Sequence, residues 1–148
     1  MTAGAWRASA GKLRFIEGGT MAQENHAFMG KVLVGNPVSI GTARDVYGPV
    51  VMAGEQIEME FKGLRDGAIF TDRRLMVYNK QGLMGKKVEI ASFPWKAITA
   101  FSVENSGTFD LDAEFKICGS GWGVCEVMFT KGTDVKRVLN YMNEKVFA

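Results

Sequence analysis

Between Phe109 and Ile117 every second residue is apolar: Phe109, Leu111, Ala113, Phe115 and Ile117, with Asp110, Asp112, Glu114 and Lys116 between them. A period of two does not fit a helix, whose faces recur about every 3.6 residues. On a strand it sends one row of side chains into a core and the other into water. After the glycine-rich turn Gly119–Gly123, Cys125, Val127 and Phe129 alternate with Glu126, Met128 and Thr130, so the two segments form a hairpin. The same period appears upstream, where Ile57, Met59 and Phe61 alternate with Gln56, Glu58 and Glu60. Ala68–Thr71 and Leu75–Tyr78 are short apolar runs joined by a turn at 72–74. Val88, Ile90 and Phe93 are placed on one face of the next strand, which Pro94 ends, and Thr99, Phe101 and Val103 on one face of another. That makes seven strands.

The period then changes. Val135, Val138, Leu139, Met142 and Val146 recur at helical spacing and form one stripe of an amphipathic helix, with Thr133 or Asp134 placed to cap its first free amides. Seven short antiparallel strands leave edges that closure or coverage must protect. The expected fold is therefore mainly β, a strongly bent antiparallel barrel with the C-terminal helix plugging one end. It occupies residues 50–148. Residues 21–49 carry weaker signals, with a short helix between Ser39 and Tyr47 bounded by Asn36-Pro37 and Gly48-Pro49. Residues 1–20 are rich in Gly and Ala and read as an N-terminal extension, with Met21 as a second start and a short strand at Lys12–Phe15.

Charge narrows the partners. Residues 21–148 hold 15 basic and 15 acidic side chains, and the formal +2 of the chain lies in residues 1–20. A nucleic-acid binder carries a basic excess that this body lacks. No apolar run approaches the roughly 20 residues of a membrane-crossing helix, and the N-terminus has no apolar core of an export signal. A reducing cytoplasm is the expected location, with Cys118 and Cys125 as thiols.

Several short motifs follow one another with fixed spacing: Arg65-Asp66, Phe70-Thr71-Asp72-Arg73-Arg74-Leu75, Lys80-Gln81-Gly82-Leu83, Gly85-Lys86-Lys87-Val88-Glu89, Phe93-Pro94-Trp95-Lys96-Ala97-Ile98, Phe101-Ser102-Val103-Glu104 and Phe109-Asp110-Leu111-Asp112. In this order the chain resembles the bacterial pleckstrin-homology-like domain family over about residues 50–147. It departs from the family pattern at Asn105-Ser106 and at Cys118. The resemblance implies a seven-stranded bent barrel capped by a helix, homo-oligomers that often close into rings, and a scaffold or interaction role with no ligand or cofactor to carry over.

No catalytic set is visible. The only histidine, His26, lies outside the patterned region, so a nucleophile–base pair has no base. The row Asp110, Asp112, Glu114 lacks the enclosing loop of a cation site and reads as a solvated or interface face. Cys118 and Cys125 flank a hairpin turn, where they could face each other, but two thiols without histidine make a poor zinc site. No metal or cofactor is expected. Arg73, Arg74, Lys80, Lys86 and Lys87 are the candidate anion or partner site if they converge, able to take a phosphate or an anionic headgroup. The alternative is pairing with Asp66, Asp72, Glu89 and Glu104. Trp95, Glu104, Asp110, Asp112, Glu114 and Trp122 are the candidate oligomer contacts. The expected function is a non-catalytic, self-assembling binding module, with anionic phospholipid binding through the basic loops as the alternative.

Overall fold

The structure, a computed structural model, describes the strand backbone at 4–9, 12–17, 20–21 and 31–33, and residues 35–105, 113–120, 123–130 and 132–148, with side chains from residue 35 on apart from Asn105. Its strands are β1 (Gly4–Ser9), β2 (Lys12–Glu17), β3 (Thr20–Met21), β4 (Lys31–Leu33), β5 (Asn36–Val38), β6 (Ile57–Lys62), β7 (Asp66–Thr71), β8 (Arg74–Gln81), β9 (Lys87–Pro94), β10 (Ala100–Asn105), β11 (Ala113–Gly119) and β12 (Gly123–Phe129). Two helices accompany them, the four-residue α1 (Arg44–Tyr47) and α2 (Val135–Val146).

The seven strands expected from the alternation are β6 to β12. They form two bent antiparallel sheets. One has the order β5-β6-β7-β8-β9 and the other β10-β11-β12-β4, so backbone pairing among the described strands does not run on from β9 to β10 as a closed barrel would require. The flanking strands come from upstream. β5 pairs antiparallel with β6, and β4 pairs parallel with β12. β1, β2 and β3 form a separate antiparallel sheet that includes the strand expected at Lys12–Phe15. Of the expected strand from Phe109, β11 begins at Ala113, and Phe109–Asp112 lie outside the described residues.

The main core fills the space between the sheets. Phe61, Phe70, Leu75, Val77, Phe93, Phe115, Ile117, Val127 and Phe129 meet there, and Val135, Val138 and Met142 of α2 close one end. Asp134 caps this helix, its Oδ1 accepting from Arg137 N at 3.1 Å.

A second cluster lies on the outer face of β7 and β8. Ile69, Met76 and Tyr78 pack there against Ala43 and Tyr47 of the α1 region. Burial on both faces explains why Ala68–Thr71 and Leu75–Tyr78 are continuous apolar runs. It also corrects two sequence expectations. Ile90 packs against the outer cluster while Ala91 and Phe93 enter the core, so Val88, Ile90 and Phe93 do not share a face. Glu60, read as part of a wet row, is 2% exposed under α1. A register shift between Ile57 and Met59 turns Ile57 to the outer cluster as well. Gly67, opposite Tyr78, has no room for a Cβ because the tyrosine ring lies over it.

Candidate binding surfaces at the two ends of β8

The five basic residues singled out in the sequence do not converge. Arg74 opens β8 and Lys80 nearly closes it, a separation of roughly 20 Å along a strand. Arg73 and Arg74 belong to one end of the sheet. Lys80, Lys86 and Lys87 belong to the other.

At the first end Arg74 is held inside the chain. Its Nε donates to Glu55 Oε2 at 2.9 Å and its Nη2 to Oε1 at 2.9 Å. The remaining donors reach Ser92 Oγ at 3.0 Å and the Val50 carbonyl at 2.6 Å. Thr71 Oγ1 also donates to Glu55, at 2.7 Å. The guanidinium beside Glu55 outweighs burial and holds its carboxyl down at about 2. The sequence reading offered four other carboxylates as partners and not this one. Glu55 precedes β6, 19 residues before Arg74, with no periodicity linking the two.

The same end is clamped around Thr71. Its carbonyl accepts from Trp95 Nε1 at 2.7 Å and from Tyr141 Oη at 3.0 Å. Burial, with nearby carboxylates adding to it, pushes the Tyr141 phenol up. Trp95, a candidate contact residue, is 3% exposed and packs on Phe70 and Tyr141, so its surface is spent inside the chain.

At the other end two loops adjoin. Residues 63–65 join β6 to β7, and residues 82–86 join β8 to β9. Arg65 Nη1 donates to the Gly82 carbonyl at 2.6 Å, and Lys80 N donates to the Arg65 carbonyl at 2.8 Å. Gly82 and Gly85, at φ of 80° and 61°, supply the left-handed backbone that turns the second loop. Leu64 and Leu83 are each 98% exposed and Met84 is 77% exposed. Lys62, Arg65, Lys80, Lys86 and Lys87 lie in these loops or in the strand ends that flank them, as do Asp66 and Glu89. Three large apolar side chains in water on adjoining loops are a candidate contact surface, since such groups are otherwise scattered singly. The sequence signal was present: Leu64 follows Gly63, and Leu83-Met84 sits between Gly82 and Gly85, where turn chemistry favours polar residues.

The remaining candidates lie elsewhere. Glu104 and Glu114 stand on the outer face of β10 and β11, within 3.7 and 3.9 Å of Lys116 Nζ. Beside them Phe101, Ile117, Cys118 and Val124 line a groove of about 240 Å³. Asp110, Asp112, Trp122 and His26 lie outside the described residues. The register pairs Cys118 with Val124 and Cys125 with Ile117. The thiols therefore occupy opposite faces of the sheet, Cys125 in the core and Cys118 half-exposed, and cannot face each other as their flanking of the turn had allowed. Among the described residues no three His, Cys, Asp or Glu side chains gather to hold a metal ion, and no helix is long and apolar enough to cross a membrane.

Comparison with known proteins agrees with this architecture. A solved Shewanella loihica protein of the DUF1696 family, with a pleckstrin-homology domain, superposes with a TM-score of 0.66 at 38% identity, covering 75% of this chain and 96% of that one. A pleckstrin homology domain from Shewanella amazonensis gives a TM-score of 0.61 at 35% identity, covering 76% and 92%. The uncharacterised protein YjqA of Bacillus subtilis is 46% identical over 91 residues, 60% of this chain and 73% of YjqA. The family model for the bacterial PH domain matches residues 27–146. With the two bent sheets, the helix that closes their core and this match over most of its length, the chain belongs to the bacterial PH domain family.

Proposed function

We propose that the chain is a non-catalytic binding module that assembles with copies of itself, using the loop end of β6–β9 as one of its contacts. The observation that carries this is the trio Leu64, Leu83 and Met84, exposed on two adjoining loops whose sequence is rich in Lys and Arg. Burying such side chains stabilises an association by roughly 1.5–3 kcal/mol each. A basic rim repels its own image, so the contact is head to tail and needs a different, acidic patch on the next copy. In this reading Glu104, with a side chain 74% exposed on the other sheet, serves as an acidic counterpart. Head-to-tail contacts that close make a ring. A cytoplasmic location belongs to this reading, in keeping with two thiols that share no face.

Light scattering on the eluting protein tests it. The native chain is expected to run as a discrete multiple of 16.2 kDa. The triple variant Leu64→Ser, Leu83→Ser, Met84→Ser is expected to run as a monomer, and so is Glu104→Lys. A triple variant with the native mass removes the loop end from the assembly.

A second reading rests on the same end. Apolar tips ringed by Lys and Arg also suit an anionic bilayer, where the tips enter the headgroup layer and each cation near the surface adds about 1 kcal/mol. Cosedimentation with anionic but not neutral vesicles, lost in the triple variant, would favour a membrane over a second copy as the occupant.

A further inference from the structure

The opposite end of β8 carries a separate feature. A cavity of about 640 Å³ opens between the turn at 72–73, the end of β9 and the C-terminal turn of α2, with Trp95 in its wall. Its charged lining is Asp72, Arg73, Arg74, Lys96 and Lys145, with the terminal carboxylate of Ala148 beside them. Arg74 is already neutralised by the bidentate pair with Glu55. The Asp72 carboxylate accepts from Gln56 N at 2.8 Å. Arg73, Lys96 and Lys145 outnumber the carboxylates of Asp72 and Ala148, which leaves a net cationic surplus in a concave site, the arrangement that concentrates field on an anion. Among the described residues the Arg73 guanidinium donates to nothing closer than Met52 Sδ at 4.0 Å, and Lys145 lies over the Tyr141 ring at 5.4 Å. Ser92 Oγ lines the same cavity and accepts from Arg74, which leaves its own proton to donate.

The site is also rigid. Thr71 Oγ1 accepts from the backbone amides of Arg73 and Arg74 at 3.1 and 3.0 Å, fixing the turn from which Arg73 projects. The Thr71 carbonyl is bonded by both Trp95 and Tyr141, which ties the turn to the wall and to α2. A site whose frame is already fixed loses little entropy when an anion binds.

We infer that this cavity binds a phosphate group, with Arg73 as the planar donor fork, Lys96 and Lys145 as point charges and Ser92 as a hydroxyl donor. The chemistry is that of a phosphomonoester or of inorganic phosphate, on a small molecule or a lipid headgroup. It requires none of the loop-end residues.

Isothermal titration of the full chain with inorganic phosphate and pyrophosphate, at low ionic strength, tests this. Saturable binding is expected. Arg73→Ala and the pair Lys96→Ala/Lys145→Ala should each weaken it by about tenfold or more, as loss of charge-assisted hydrogen bonds does. The charge-matched pair Arg44→Ala/Lys136→Ala, on exposed positions away from the cavity, should bind as the native chain does. Arg73 and Lys96 are exposed, so their variants are expected to fold, and a circular dichroism melt checks each one. Vesicles containing phosphatidate, run against a soluble phosphomonoester, separate the sources: binding to vesicles that needs Arg73 marks a headgroup, and binding to the soluble ester alone marks a metabolite. Absence of binding to all these probes, or equal weakening by the Arg44/Lys136 pair, overturns the assignment.

Discussion

Glu55 gathers four donors on one carboxylate: Arg74 Nε and Nη2, Thr71 Oγ1 and the Met52 amide. Each favours the charged form, and together they hold the group at about 2 against its ordinary 4.5. A folded value below the unfolded one contributes stability that is complete above the unfolded value and is lost as pH falls toward the folded one. Unfolding free energies from urea titrations should therefore fall between about pH 4.5 and pH 2 by an amount on the order of 2 kcal/mol from this group. Glu55→Gln should flatten that part of the profile. It should also lower neutral-pH stability by about 3 kcal/mol, because Arg74 is left without its counter-charge. A variant with the native acid profile would show that the loss arises elsewhere. Residue chemistry of this kind was only partly legible. That Arg73 and Arg74 sit in a turn follows from the sequence, but their different fates do not. One is bound by Glu55 and the other is open to the cavity, a difference set by what folds beside each.

Among the elements, α1 shows how a short helix persists without its own strength. Four residues do not hold an isolated helix, and α1 has no side-chain cap. It is held by Glu60 of β6, whose Oε1 accepts from Gly41 N at 2.8 Å and from Tyr47 Oη at 2.6 Å, and whose Oε2 accepts from Ala43 N at 2.7 Å. Burial and the adjacent carboxylate push the Tyr47 phenol up to about 12. Glu60→Gln replaces one acceptor oxygen with a donor that faces an amide or a hydroxyl. The expected cost is about 2 kcal/mol, the penalty of a buried unmatched donor, read as a lower urea midpoint together with a changed near-ultraviolet tyrosine signal. An unchanged midpoint would mean that apolar packing alone retains α1. The helix between Ser39 and Tyr47 was readable from its bounding turn residues. Its anchor was not, because an alternating Glu in Ile57–Phe61 looks the same whether water or another element covers it. The three-residue strands β4 and β5 were equally silent, since so few residues carry no period and acquire strand geometry from the neighbours they pair with.

At the scale of the whole molecule β8 acts as a spacer. It sets the apolar, lysine-ringed loops at one end and the arginine–lysine cavity at the other, too far apart for one ligand to bridge. Two independent losses should follow. The Leu64→Ser, Leu83→Ser, Met84→Ser variant should lose assembled mass and still titrate phosphate with native affinity. Arg73→Ala should keep the native mass and lose phosphate binding. Light scattering and calorimetry on the same four-sample set, native, each variant and their combination, check this. If either variant loses both properties, the two ends are coupled.

The sequence by itself determined the seven strands β6 to β12, the inward phase of β11 and β12, the terminal helix with its cap, and the lack of a basic excess in the body. These depend on local period and composition, which the chain carries without reference to its fold. Tertiary structure decided the rest. It divided the strands into two sheets, covered β7 and β8 on both faces, buried Trp95 and Glu60, put the two thiols on opposite faces and split one basic cluster into two surfaces. Each of these depends on which distant segments meet, and one row of side chains is compatible with several partners until packing selects one of them.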